Sequence, residues 1–348
     1  MANGVSRLVS ESDDGLMHLH IDIERWPLKV PFRITGHTFT ESEVIVVTLT
    51  EGAVSGRGEA AGVYYRGESA HSMARQLAAV RPLLERGVTR EALRSLLPPG
   101  GARNALDCAL WDLEARRAGV SAWQLAGLDA SKPLATTYTI GADAPQVAAR
   151  TAAAYKGASR LKLKLTGEDD ELRLRAVRAA RPDAWIAVDA NQAYDVTSLR
   201  AVLPALLDAD VQLIEQPVRA GSERYLAGFD SPIPLAADES VQSLADLPRV
   251  AGLFDVVNIK LDKCGGLTEA LAMATEIRRL GMKPMVGCMA GTSLAMAPAC
   301  VAGARCDLVD LDAPLFLAKD RDPTALYDGG TVHCPDGWGV PAAGATSN

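Results

Sequence analysis

The chain has 348 residues, 48% of them hydrophobic and 23% charged, with a net charge of −7. That is long enough for a barrel plus a smaller domain and is ordinary for a soluble globular protein. Acids and bases are interspersed with no basic run, which argues against a nucleic-acid partner, and the longest weakly polar stretch, 293–304, is too short to span a membrane. Residues 1–14 are polar, lack an apolar signal core and read as a disordered lead. Strands are expected over 18–28 and 42–50 and helices over 68–86 and 103–118. Leu106, Leu110 and Leu113 share one face of the second helix, and Pro98-Pro99-Gly100-Gly101 breaks the chain before it. His18 and His20, two apart, read as half-exposed strand residues rather than a metal pair. These elements make a small α+β domain over 15–127.

From Pro133 the rhythm changes. Short apolar runs begin at 136, 161, 185, 211, 233, 256, 284 and 308, each followed by a helical pattern, at the spacing of strand–helix units. Eight such units in parallel close into a barrel, expected over 128–320. An open doubly wound sheet is the alternative, but no glycine-rich phosphate loop follows the first strand. The turn-rich segment 321–348 is expected to pack back on the first domain. The six cysteines, Cys108, Cys264, Cys288, Cys300, Cys306 and Cys334, form no CxxC pair and have no histidine at zinc-ligand spacing. They read as free thiols of a reduced, cytoplasmic chain.

Three consecutive strands end in carboxylates: Asp189-Ala190-Asn191, Glu215-Gln216-Pro217 and Asp238-Glu239-Ser240. C-terminal strand ends ring one mouth of a barrel, so Asp189, Glu215 and Asp238 converge. Unpaired, they would repel and protonate; a hard dication removes that cost, and three oxygen ligands with open positions suit Mg²⁺, with Mn²⁺ as a substitute. The alternative is that each acid caps the helix that follows. In Arg160-Leu161-Lys162-Leu163-Lys164-Leu165, alternation puts three leucines on one face and two lysines on the other. A barrel strand has no solvated face, so the lysines point inward, where a cation is costly without a function or partner. Lys260 ends Asn258-Ile259-Lys260 and precedes Asp262. A dication at a substrate carboxylate makes the neighbouring C–H more acidic. A lysine beside a metal and another lysine is expected to have its pKa lowered toward neutrality, so that it can act as a base. Lys164 and Lys260, on the second and sixth strands, would address opposite faces of one carbon.

These motifs, in this order, resemble the enolase superfamily, specifically its muconate-lactonizing subgroup. A lysine or histidine base with Mg²⁺ is a general property of that superfamily. The resemblance implies a modified TIM barrel, (β/α)7β, beneath an N-terminal α+β capping domain. It implies Asp189, Glu215 and Asp238 as metal ligands, with Asn191, Glu239 and Asp262 in support. It also implies Lys164 and Lys260 as the two bases, with Lys162 beside the substrate carboxylate. Members with a His-Asp dyad are set aside, because no histidine lies between Pro133 and Asp320. Asp310-Leu311-Asp312 resembles the acidic pair of dipeptide epimerases, which holds a dipeptide's free ammonium group. Gly287-Cys288-Met289 and the 102–112 helix look like bacterial Ala-Glu epimerases, with Met289 beside the substrate.

Residues 31–39 correspond to a mobile loop of the cap. Members that prefer a C-terminal glutamate carry an arginine there; this chain has Gly36 or His37 at that place, with Arg33 and Arg66 nearby. The resemblance therefore implies a Mg²⁺-dependent epimerase acting on L-Ala-D/L-Glu or a related L-Ala-L-Xaa dipeptide through an enediolate. Such an enzyme would serve cell-wall peptide recycling or peptide catabolism, in the cytoplasm and as a homo-oligomer. A lyase like o-succinylbenzoate synthase, or a muconate cycloisomerase, is the alternative.

Overall fold

The computed structural model describes residues 16–340; the 1–14 lead and the last residues of the tail lie outside the described residues. The chain opens with an antiparallel sheet in the order β1 (His18–Ile34), β2 (His37–Glu51), β3 (Val54–Ala60). Helices Ala70–Leu84, Arg90–Leu96 and Gly101–Ala118 follow. The last of them buries more than one face: Arg103, Asn104, Asp107 and Asp112 are buried along with its leucines. The reason is that it lies between the sheet and the barrel. On the sheet side, Gly56 and Gly58 let β3 lie directly on the helix, since a Cβ at Gly58 would sit 2.1 Å from Ala105 O. On the barrel side, Asp107 accepts the Thr268 N–H at 2.9 Å and Arg103 donates to Gly265 O at 3.3 Å.

After the short strand β4 (Leu134–Ala135), eight parallel strands follow. They are β5 (Tyr138–Ile140), β6 (Arg160–Lys164), β7 (Trp185–Asp189), β8 (Val211–Glu215), β9 (Leu235–Ala237), β10 (Val256–Lys260), β11 (Lys283–Gly287) and β12 (Leu308–Asp310), paired in that order. The ring is nearly closed: across the seam Thr137 N–H donates to Val309 O at 3.0 Å and Leu311 N–H to Thr136 Oγ1 at 2.9 Å. This is the α/β barrel expected, with two differences in its helices. Only a short 3-10 turn (Glu223–Leu226) follows β8 and only short turns through Val250 follow β9. Pro217, Gly221, Gly228, Pro232, Pro234 and Pro248 interrupt those connections. Among the described residues no long helix follows β12. Instead β13 (Leu326–Asp328) and β14 (Thr331–His333) form a small sheet with β4, and Trp338 Nε1 donates to Arg57 O at 2.8 Å in the first domain.

The register sets the level of each functional side chain. Lys164 pairs with Asp189 and Asp189 with Glu215; across the ring Lys260 pairs with Gly287 and Gly287 with Asp310. All these positions are C-terminal strand ends, so they gather at one mouth. Leu161, Leu163 and Leu165 are fully buried against the helix layer, while Lys162 and Lys164 are buried on the inside. Residues 31–39 are not a loop. The β1–β2 ladder shifts register after Pro27 and resumes as Phe32↔Phe39, Arg33↔Thr38 and Ile34↔His37. That hairpin tip covers the mouth, and Thr35 Oγ1 shares its proton between Leu165 O at 2.8 Å and Ala190 O at 3.0 Å. No helix of the described residues is long and apolar enough to cross a membrane.

Candidate active site

Asp189, Glu215 and Asp238 each point a carboxylate oxygen into one spot, with the three oxygens within 4.8 Å of one another. All three residues are fully buried. They are held by polar neighbours. Asn258 Nδ2 donates to Glu215 Oε1 at 2.8 Å, and Asn191 N–H donates to Asp189 Oδ1 at 2.9 Å. Lys263 Nζ donates to Asp238 Oδ1 at 2.6 Å and to Asn258 O at 3.0 Å. Glu215 Oε2 makes no hydrogen bond of proper geometry, although Lys162 Nζ lies 2.8 Å away. A buried all-oxygen set with one such oxygen left over fits a hard dication.

The lysines complete the ring. Lys162 Nζ lies 2.7 Å from Asp310 Oδ2 and 3.4 Å from Asp189 Oδ2, Lys164 Nζ 2.6 Å from Asp189 Oδ2, and Lys260 Nζ 2.7 Å from Asp238 Oδ2. Lys164 and Lys260 line the same cavity from β6 and β10, four strands apart in a ring of eight and so on opposite sides.

Burial works against the Lys260 ammonium, yet Asp238 overrides it and holds the group well above the ordinary lysine value. Lys162 is likewise held high by Asp310, Glu215 and Asp189 against burial. At both lysines carboxylate charge outweighs burial. Those same charges split among themselves. Burial pushes Glu215 up to about 7 against the pull of Lys162, while Asp238, despite burial, is held below the usual carboxylate range by Lys260 and Lys263.

The other expected site residues divide into two groups. Asn191, Glu239, Met289, Asp310 and Asp312 line the cavity. Asp310 is engaged at both oxygens, by Lys162 and by the Thr137 hydroxyl, while Asp312 accepts the Thr139 N–H. Burial and the charge of Asp310 raise Asp312 to about 7. Asn191 Nδ2 donates to Glu239 Oε1 at 3.2 Å, and Glu239 Oε2 has no partner. Asp262 does not reach the cavity. It accepts the N–H groups of Ala61 and Gly62, both at 2.9 Å, and so pins the end of β3 to the barrel.

Arg33 and His37 are exposed and do not line the cavity. The reason is strand alternation: Phe32 and Ile34 take the inward positions and Arg33 between them faces out. His37 packs on Phe39 and Tyr64 at the outer rim, with ring centroids 4.2 Å and 5.2 Å away. Sequence reasoning missed Lys263, Asn258, Tyr64, Tyr65 and Phe316. The Asn258-Ile259-Lys260 motif carried a signal for Asn258, two residues before Lys260 on the same strand face. The rim aromatics carried none.

Residues 146–342 match the family described as "Enolase C-terminal domain-like", and residues 17–127 match "Mandelate racemase / muconate lactonizing enzyme, N-terminal domain". An L-Ala-D/L-Glu epimerase of Escherichia coli (strain K12) is 42% identical over 312 residues, covering 89% of this chain and 97% of its own. Among solved structures, an enolase family member from Agrobacterium tumefaciens with homology to dipeptide epimerases, with bound sodium and L-Ala-L-Glu, superposes with a TM-score of 0.89. It is 41% identical and covers 94% of this chain and 98% of its own. A dipeptide epimerase from Methylococcus capsulatus complexed with Mg and L-Arg-D-Lys gives a TM-score of 0.84 at 28% identity, covering 93% of this chain and 98% of its own.

Proposed function

The chain belongs to the enolase superfamily, in the mandelate racemase / muconate lactonizing enzyme division, and on that premise we propose that it is a metal-dependent dipeptide epimerase. It inverts the α-carbon of a dipeptide's C-terminal residue. The observation that carries this reading is the pair of lysines, Lys164 and Lys260, facing one cavity from opposite barrel strands beside three converging carboxylates.

Asp189, Glu215 and Asp238 would hold one Mg²⁺, or Mn²⁺ in its place. The ion supplies positive charge at the substrate carboxylate, which makes the adjacent α-hydrogen acidic. Lys162, behind the acids, adds a fixed positive charge toward that carboxylate. One of Lys164 and Lys260 takes the α-proton and the other, as an ammonium, returns one to the far face. Asp189 and Asp238 fix the two amines at the cavity wall, 2.6 Å and 2.7 Å from their carboxylate oxygens. Asp310 and Asp312 form the acidic end that suits a substrate ammonium, and the hairpin tip keeps water from the reacting carbon.

The lyase and cycloisomerase readings are not favoured. The relatives that support assignment are named for epimerisation, and neither alternative needs an ammonium-binding pair such as Asp310 and Asp312. All six cysteines are free, which supports a reducing, cytoplasmic setting.

The test is α-hydrogen exchange into L-Ala-Xaa dipeptides in D₂O, before and after metal removal by a chelator. Exchange that stops on chelation and returns with Mg²⁺ is expected. Absence of exchange across the dipeptide library with Mg²⁺ present overturns the assignment.

A further inference from the structure

The substrate class follows from what surrounds the α-carbon, given the epimerase reading above. That carbon has four substituents. Its carboxylate is assigned to the acid triad, its hydrogen to Lys164 or Lys260, and its nitrogen leads toward Asp310 and Asp312. The fourth substituent, the side chain, is left the direction out of the barrel, toward the hairpin tip that covers the mouth.

That roof is apolar. Phe32, Ile34, Phe39, Tyr64 and Phe316 line it. They are organised as two aromatic contacts. Phe32 meets Phe316 at 4.7 Å between centroids beside the β12 end, and Phe39 meets Tyr64 edge-on at 5.1 Å. Phe39 and Tyr64 line the same cavity as Lys260 and Glu239.

Nothing in the roof would neutralise a side-chain carboxylate. Among the described residues the cations lining the cavity are Lys162, Lys164 and Lys260, and each is already held by carboxylates of the barrel mouth. Arg33 and Arg66 are exposed and outside the lining. Among the described residues, Glu239 and Asp312 are the wall carboxylates in no ion pair, and Glu239 Oε2 is buried and unpaired. A second anion brought beside it would be desolvated and repelled.

We propose that the residue this enzyme inverts carries an apolar side chain, aromatic or branched aliphatic, seated against Phe39, Tyr64 and Ile34, and that a glutamate side chain is disfavoured there. This departs from the acidic substrate named for the Escherichia coli relative.

The experiment compares kcat/KM for α-hydrogen exchange with L-Ala-L-Phe, L-Ala-L-Leu, L-Ala-L-Glu and L-Ala-L-Lys in the Mg²⁺-loaded full chain. The apolar pair is expected to exceed L-Ala-L-Glu by about tenfold or more. Glutamate at parity or better, or a preference for lysine drawn by Glu239, overturns the side-chain assignment while leaving the epimerase reading intact. No exchange with any of the four removes both. In Phe39→Arg the ratio of L-Ala-L-Glu to L-Ala-L-Leu is expected to rise by about tenfold. A ratio that does not move, in a variant still exchanging L-Ala-L-Leu, overturns the placement of Phe39 at the side chain.

Discussion

Asn258 shows how a neutral residue shapes a charged site. Its Nδ2 fixes Glu215 Oε1 at 2.8 Å, its carbonyl accepts from Lys263, and its side chain packs where a Cβ on Gly287 would collide at 2.6 Å from Oδ1. Replacing it with leucine keeps the volume and removes the hydrogen bond. Mg²⁺ affinity, measured by calorimetry, is expected to fall by about 10- to 100-fold in Asn258→Leu with the fold retained. Unchanged affinity would mean that Glu215 needs no orientation. Residues of this kind differ in how far the sequence exposes them. The triad was legible because each acid ends an apolar run, and the inward lysines because alternation left them no other side. Lys263 was not, since a lysine one turn past a strand end looks like any solvated lysine. Arg33 misled for the opposite reason: its charge suggested a role, but its side of the strand depends on where the hairpin turns.

At the scale of elements, the first domain and the barrel are joined through buried charge. Glu59 on β3 is fully buried and accepts from the Thr292 N–H at 2.7 Å at the start of the Ser293–Gly303 helix. Arg321, from the tail, reaches Glu59 at 2.9 Å and Glu24 on β1 at 2.6 Å. One guanidinium therefore ties β1, β3 and a barrel helix together. Removing it leaves Glu59 buried without its cation, so Arg321→Ala is expected to lose about 3–5 kcal/mol of stability in denaturant titration. Adding Glu59→Gln should restore part of that loss. The pH dependence has a definite sign. Burial already raises Glu59 above its ordinary 4.5 against the pull of Arg321, and losing Arg321 raises it further. The native state then binds more protons than the unfolded state above pH 4.5, so the deficit of Arg321→Ala grows as pH rises from there and shrinks in acid. A deficit that is flat with pH would contradict this. No sequence pattern announces such a joint, because its members lie far apart in the chain. The same holds for the helix at 101–118, where the sequence shows the leucines but not that the intervening polar residues are buried against a second body.

Over the whole molecule, the barrel brings residues from β6, β7, β8, β9, β10 and β12 to one mouth, and the first domain supplies the cover. The strand order was readable from the spacing of apolar runs, because a parallel barrel repeats one unit. The helices after β8 and β9 were not, because prolines and glycines there replace helix with turns. Cover and mouth share the cavity wall: the barrel supplies its lysines and carboxylates, and the hairpin tip supplies Phe32, Ile34 and Phe39. Whether the two amines act on opposite faces of one carbon is measured most directly by following deuterium into each epimer with each lysine removed in turn. In D₂O with Mg²⁺, Lys164→Ala and Lys260→Ala should each lose epimerisation but keep α-hydrogen exchange with one epimer, and the two variants should keep opposite epimers. If both keep exchange with the same epimer, or if either still interconverts the two, the amines do not work from opposite faces.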